Sequence, residues 1–194
     1  MADNSIYFPG TNIEIKTVQD NQLEILLEFD RICKKNNIKY CLFAGTLLGA
    51  IRHNGFIPWD DDVDVCMLRE EYEKFLIACK KDLSDGYFLQ DYNTDKNYPY
   101  QFAKLRKNNT LYDLEIHHGI FIDIFPFDNI EPDKLTGKIQ RNLLNILRII
   151  SSCRSKALIY STKNNLKKYL RVCVYYVVKL FPKNIMDKLI TKIA

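Results

Sequence analysis

Residues 59–65 read Trp59-Asp60-Asp61-Asp62-Val63-Asp64-Val65, and the fold turns on how they are placed. In a strand, alternate side chains share a face, so Asp62 and Asp64 point one way while Val63 and Val65 point into a core. Asp60 joins that row if the strand begins early. An acidic run taken alone is commonly a solvated turn, and Asp60 and Asp61 by themselves read as easily that way. A second carboxylate changes the balance. In Gly119-Ile-Phe-Ile-Asp123-Ile-Phe-Pro126, one aspartate sits at the centre of an otherwise apolar strand. Burial of an unpaired carboxylate is costly, so Asp123 is expected to have a partner or to face a site. If the two strands are neighbours, Asp62, Asp64 and Asp123 form a carboxylate cradle. Crowded carboxylates repel, and a hard divalent cation relieves the repulsion. Mg²⁺ or Mn²⁺ suits such oxygen ligands and the phosphoryl or nucleotidyl chemistry they support.

Upstream, Phe43-Ala44-Gly45-Thr46-Leu47-Leu48-Gly49 places a strand, a glycine, a hydroxyl residue and a helix start in succession. Such a turn offers backbone N–H groups and a hydroxyl to phosphate, although Gly-Thr turns also simply begin helices. Periodicity predicts helices over 18–36, 47–52 and 69–81, with Ile25, Leu26, Phe29, Ile32 and Cys33 on one face of the first. Strands are predicted over 40–43, 62–67, 87–92, 100–106 and 119–125, the last bounded by Pro126. The order points to an α/β (α+β) domain. Two regions are expected: a catalytic domain over 1–132 and a basic helical extension over 133–194.

A glycine and a hydroxyl residue placed ahead of an Asp-x-Asp strand match the layout of polymerase-β-like nucleotidyltransferases, whose core is a mixed sheet flanked by helices. The stretch GTLLGAIRHNGFIPWDDDVDV (45–65) resembles the signature of the LicD family, and HHGIFIDIFPFD (117–128) resembles its second signature. The first helix and AKLRKNNT (103–110) also lie where that family would have them. Members transfer phosphocholine from CDP-choline to cell-surface glycans, and fukutin-type relatives transfer ribitol phosphate from CDP-ribitol. Carried over, the resemblance implies metal ligation by Asp62 and Asp64, with Asp60 as a further ligand or supporting group. Asp123 would complete the site and accept the proton of an incoming hydroxyl. Gly45 and Thr46 would hold donor phosphates, and Arg52, Lys104 and Arg106 would neutralise the diphosphate, with His53 as a further phosphate contact. His117 and His118 lack the spacing of a zinc site. Trp59 and Phe56 flank the acidic loop, where packing against it is expected ahead of stacking on a base or on choline. The alternatives are a nucleotidyltransferase attaching NMP to a small molecule and a truncated, non-catalytic family member.

Composition bounds these readings. The 194 residues are 47% hydrophobic, enough for one real core. Six cysteines without a CxxC pair fit a reducing cytoplasm rather than a disulfide framework. The first 11 residues have neither a basic start nor an apolar run, so no export signal is expected. The net charge of +4 is unevenly spread: residues 1–132 carry −8, whereas residues 133–194 hold 14 Lys and Arg against two Asp. A basic helical tail with the run Val172–Val178 is too short to span a bilayer, but basic amphipathic helices lie on anionic membrane surfaces. Peripheral association at the inner membrane face, near a lipid-linked glycan acceptor, is therefore an expectation. Nucleic acid is not expected, because no recognisable motif accompanies the basic tail and the front is acidic.

Overall fold

The computed structural model describes residues 14–95, 98, 100–110, 119–130, 132–152, 165–179, 190 and 193. His117 and His118 lie outside them. Among the described residues, ten elements follow in order: α1 (Ile15–Lys35), β1 (Cys41–Leu42), α2 (Ala44–His53), β2 (Asp64–Leu68), α3 (Arg69–Asp82), β3 (Tyr87–Gln90), β4 (Ala103–Lys107), β5 (Phe121–Phe127), α4 (Lys134–Ser152) and α5 (Asn165–Lys179). The α/β expectation holds, and the sheet is mixed. Its order is β1-β2-β5-β4-β3, with β2 and β5 parallel and every other pairing antiparallel.

The alternation read from the sequence sets the two faces of this sheet. Val63, Val65, Met67, Leu89, Ala103, Leu105, Ile122 and Ile124 are buried together with Val18, Ile25, Phe29 and Ile32 of α1 and Phe75 and Leu76 of α3. Those two helices therefore cover one face. Asp64, Lys104, Arg106 and Asp123, which alternate with these residues, belong to the other. Helix α3 carries Glu70 and Glu71 in its first turn and Lys80 and Lys81 in its last, a charge order that complements its dipole.

Of the boundaries that differ from expectation, two have identifiable reasons. Helix α2 starts three residues early, because extended Phe43 serves as its N-cap and accepts the Leu47 N–H at 3.2 Å. It ends where expected, at Asn54 in the left-handed conformation. Strand β5 continues through Pro126 instead of stopping before it. The Asp123 N–H donates to Val63 O on the β2 side, so alternation aims position 126 toward β4. Pairing with β4 ends at Ile124, and the N–H that proline lacks is not missed there.

The chain divides into two compact units. One runs up to Gln90 and includes Phe102–Phe127; the other comprises Asp91–Gln101 and the residues from Asp128 onward. In the second, Leu144 and Leu147 of α4 pack with Ile190, and Asp133 Oδ2 caps α4 by accepting the Thr136 N–H at 2.9 Å. Among the described residues, no helix is long and apolar enough to cross a membrane. Cys33, Cys66 and Cys79 are free and buried, and free cysteine in such a position packs as a small apolar residue.

Candidate active site

The site grows from strand register. Asp64 of β2 lies directly beside Asp123 of β5, and Asp123 lies directly across from Lys104 of β4. Three charged residues thus stand side by side on three adjacent strands, all on the face opposite α1 and α3. Lys104 is the partner that Asp123 requires: Nζ is 2.5 Å from Oδ1, with the lysine only 7% exposed. The same ammonium sits 3.4 Å from the Phe121 ring centroid. Burial pushes both groups toward their neutral forms, Asp123 up and Lys104 down, and their mutual attraction opposes this.

The remaining carboxylates arrive from the loop before β2. Asp62 is not in the strand, which begins at Asp64, and neither is Asp60. Asp60, Asp61 and Asp62 instead gather as a group whose nearest carboxylate oxygens lie within 4.8 Å of one another. Asp61, for which the sequence is equally consistent with a solvated turn, belongs to this group. Burial and then the Asp62 charge raise the Asp60 carboxyl. Burial, followed by Asp62, Asp123 and Asp60, pushes Asp64 up to about 6. Asp60, Asp62 and Asp123 thus act on Asp64 electrostatically, while among the described residues only Asp60, Asp61 and Asp62 gather closely enough to share one ion. The all-oxygen donor set and its mutual repulsion fit a hard divalent cation.

The start of α2 is built against this cluster. A Cβ on Gly45 would lie 2.5 Å from Asp60 Oδ2, so only glycine lets the helix backbone approach that carboxylate. Ala44, immediately before it, has φ 47°, a left-handed conformation that L-residues adopt at a cost and that often marks functional sites. The Thr46 hydroxyl accepts the Asp64 N–H at 2.8 Å, tying α2 to β2 while its own proton stays available for donation.

The other sequence candidates are distributed differently. Arg106 is buried, with Nε donating to Gln90 Oε1 at 2.6 Å and Nη1 to Gly119 O at 2.6 Å. Its guanidinium lies 4.7 Å from the Phe121 ring, so it braces the strand ends beside Lys104. Arg52 and His53 are exposed in the last turn of α2, seven residues or so along the helix from Thr46 and thus about 10 Å away along its axis. Phe56 packs against the core, as expected. Trp59 does not: it is 67% exposed, so the packing role expected for it is corrected to an open position on the acidic loop.

Two site residues escaped the sequence reading. Gln19 and Gln22 of α1 are buried and donate side-chain hydrogen bonds to backbone carbonyls of the acidic loop. The signal was present, since Val18, Gln22, Ile25, Phe29 and Ile32 follow one helical face and Gln22 interrupts an apolar stripe.

Comparison with known proteins gives this geometry a family. Residues 37–142 match the LicD/FKTN/FKRP nucleotidyltransferase domain, an interval that contains every element from β1 to β5. Lipopolysaccharide cholinephosphotransferase LicD of Haemophilus influenzae is 32% identical over 177 residues, 87% of this chain and 66% of that protein. An uncharacterized protein of Rickettsia prowazekii is 46% identical over 48 residues, 25% of this chain and 18% of its own length. The chain thus spans somewhat less than two thirds of the Haemophilus protein and a smaller share of the rickettsial one. The matched interval covers more than half of the chain and holds both carboxylate strands, so the chain belongs to the LicD/FKTN/FKRP nucleotidyltransferase-domain family.

Proposed function

We propose that the chain is a metal-dependent phosphotransferase. It moves phosphocholine, or a related alcohol phosphate, from a CDP-linked donor to a hydroxyl of a cell-surface glycan such as lipopolysaccharide, teichoic acid or capsule, and releases CMP. The observation that carries this reading is the alignment of Asp64, Asp123 and Lys104 across three strands beside the Asp60–Asp62 group. The activity for which the Haemophilus relative is named supports choline phosphate as the group transferred.

Mg²⁺ or Mn²⁺ would be held by Asp60, Asp62, Asp64 and Asp123, with Asp61 alongside, and would neutralise diphosphate charge as the leaving group departs. The chain's own residues supply the rest. First-turn N–H groups of α2 and the Thr46 hydroxyl receive donor phosphate oxygens. Asp123, oriented by Lys104 at Oδ1, accepts the proton of the attacking hydroxyl. The acceptor oxygen bonds to the phosphorus nearer the alcohol as the bond to the CMP oxygen breaks. Lys104 holds the Asp123 carboxylate in one orientation, and Arg106 stiffens the strands on which both stand. Arg52 and His53 are assigned to the outer part of the donor. Positioning and charge stabilisation account for most of the rate in such transfers.

The test is calorimetric titration with CDP-choline, CDP-ribitol and CTP, with and without Mg²⁺ or Mn²⁺, on the wild type and on Asp62→Ala. Metal-dependent binding of a CDP-alcohol, lost in the variant, is the expected result. Preference for CTP would favour a nucleotidyltransferase that attaches NMP to a small molecule. Binding of none by folded protein would favour a non-catalytic family member.

The helical unit is read as a peripheral membrane element. Leu135, Ile139, Leu143, Ile146 and Ile149 of α4 are exposed, while Leu144 and Leu147 on another side of the helix are buried. An exposed apolar stripe in a region of net +12 complements an anionic lipid surface.

A further inference from the structure

Gln19 and Gln22 are 5% and 1% exposed, on the side of α1 that packs into the core. Amides buried among apolar residues are costly unless bonded. Gln19 Nε2 donates to Asp60 O at 2.8 Å and to Ile57 O at 3.2 Å. Gln22 Nε2 donates to Asp61 O at 2.8 Å and reaches Phe121 O at 3.5 Å. Two amides less than one helical turn apart therefore grip consecutive carbonyls of the acidic loop. One of them also touches the first residue of β5, two positions before Asp123.

The bonds are not arranged for stability alone. Gln22 Oε1 is buried and has no hydrogen-bond partner among the described residues. An orphaned buried acceptor is destabilising; methionine at this position would fill similar space without it, while also withdrawing the donor from Asp61 O. The loop carbonyls held by Gln19 and Gln22 lie outside the ladder of β2, so the sheet does not itself fix them. What the glutamines do fix is the separation between the Asp60–Asp62 group and the strand that carries Asp123.

We propose that Gln19 and Gln22 are positioning residues that hold the acidic loop at the spacing from β5 required for tight divalent-cation binding. This rests on the metal-dependent reading given above. The chain's one tryptophan, Trp59, sits exposed on the same loop and supplies a direct optical probe.

The test uses the full chain, with Gln19→Met, Gln22→Met and the double variant. Mn²⁺ is titrated against Trp59 fluorescence and by calorimetry, and Tm is measured in parallel with EDTA present. Expected is Mn²⁺ affinity weakened about tenfold or more, in the range seen when groups supporting metal ligands are removed, with the Tm of Gln22→Met in EDTA close to wild type because the lost orphan and the lost donor offset each other. A merely structural role predicts the opposite pair, a lowered Tm in EDTA with unchanged affinity in the folded protein, and would overturn the inference. Wild-type protein that binds no Mn²⁺ would remove the metal reading and this inference together. Equal, tight binding by wild type and variants would remove this inference alone.

Discussion

Gly45 is the residue at which backbone and chemistry are most closely joined. Adding one methyl there brings it within 2.5 Å of Asp60 Oδ2, the mobile end of a side chain, so the carboxylate rather than the backbone gives way. Gly45→Ala is therefore expected to fold, with Tm close to wild type, and to lose about tenfold or more in Mn²⁺ affinity by titration. Asp64 makes the complementary case. It is crowded by Asp62, Asp123 and Asp60, and its charge opposes folding when no cation is bound. Asp64→Asn should raise the stability of EDTA-treated protein by roughly 1 kcal/mol at pH 7, after allowance for solvent screening at this half-buried position. The same change should abolish the stabilisation that added Mn²⁺ gives the wild type. Urea denaturation with and without metal reads both effects, and a destabilised EDTA form would contradict the repulsion argument.

At the scale of elements, α1 supports the site through its glutamines and the rest of the domain through Glu28. That buried carboxylate accepts Arg31 Nε and Nη2 at 2.7 Å each, and the Ser84 N–H at 3.0 Å and hydroxyl at 2.9 Å, fastening α1 to the segment after α3. The Arg31 hydrogen bond is the chief cause of a carboxyl held below its usual 4.5. A depressed folded pKa means the unfolded chain takes up the proton first, so this stabilisation is present above about pH 4.5 and is lost as pH falls through the folded value. Glu28→Gln should cost about 1–3 kcal/mol at neutral pH, with the gap from wild type narrowing toward pH 3 in urea titrations. Donor binding should be unaffected. Elements with strong periods were legible from sequence: α1, α3, β2 and β5 appear within a few residues of expectation, and Asp64 beside Asp123 follows once β2 and β5 are neighbours. What stayed hidden was non-local. The order of five short strands depends on pairings across distant segments, and it alone sets Lys104 across from Asp123. Nor does local pattern reveal that Gly45 and Thr46 lie inside the first turn of α2, or that Arg106 is spent on Gln90 and Gly119.

For the whole molecule, the governing feature is the division of charge, −8 over residues 1–132 and +12 over residues 133–194. The two halves should respond to different ions. A divalent cation at saturation of about 100 times Kd stabilises a folded protein by about 2.7 kcal/mol, which in a chain of this size raises Tm by roughly 5–10 °C. NaCl at equal ionic strength should give much less, because screening cannot replace ligation by converging carboxylates. The basic half should instead respond to anionic lipid. Its attraction to a surface is electrostatic and falls within a Debye length of about 8 Å at physiological salt, while burial of the α4 stripe is insensitive to salt. Flotation with phosphatidylglycerol-containing vesicles should therefore recover the protein, zwitterionic phosphatidylcholine vesicles should not, and 0.5 M NaCl should weaken capture without abolishing it. Ile139→Asp with Ile146→Asp places charge on two exposed stripe positions, leaves buried Leu144 and Leu147 alone, and should eliminate flotation while Mn²⁺ binding persists. Equal capture by both lipids, or capture indifferent to the double substitution, would mean that the +12 region and its apolar stripe serve a partner other than a membrane.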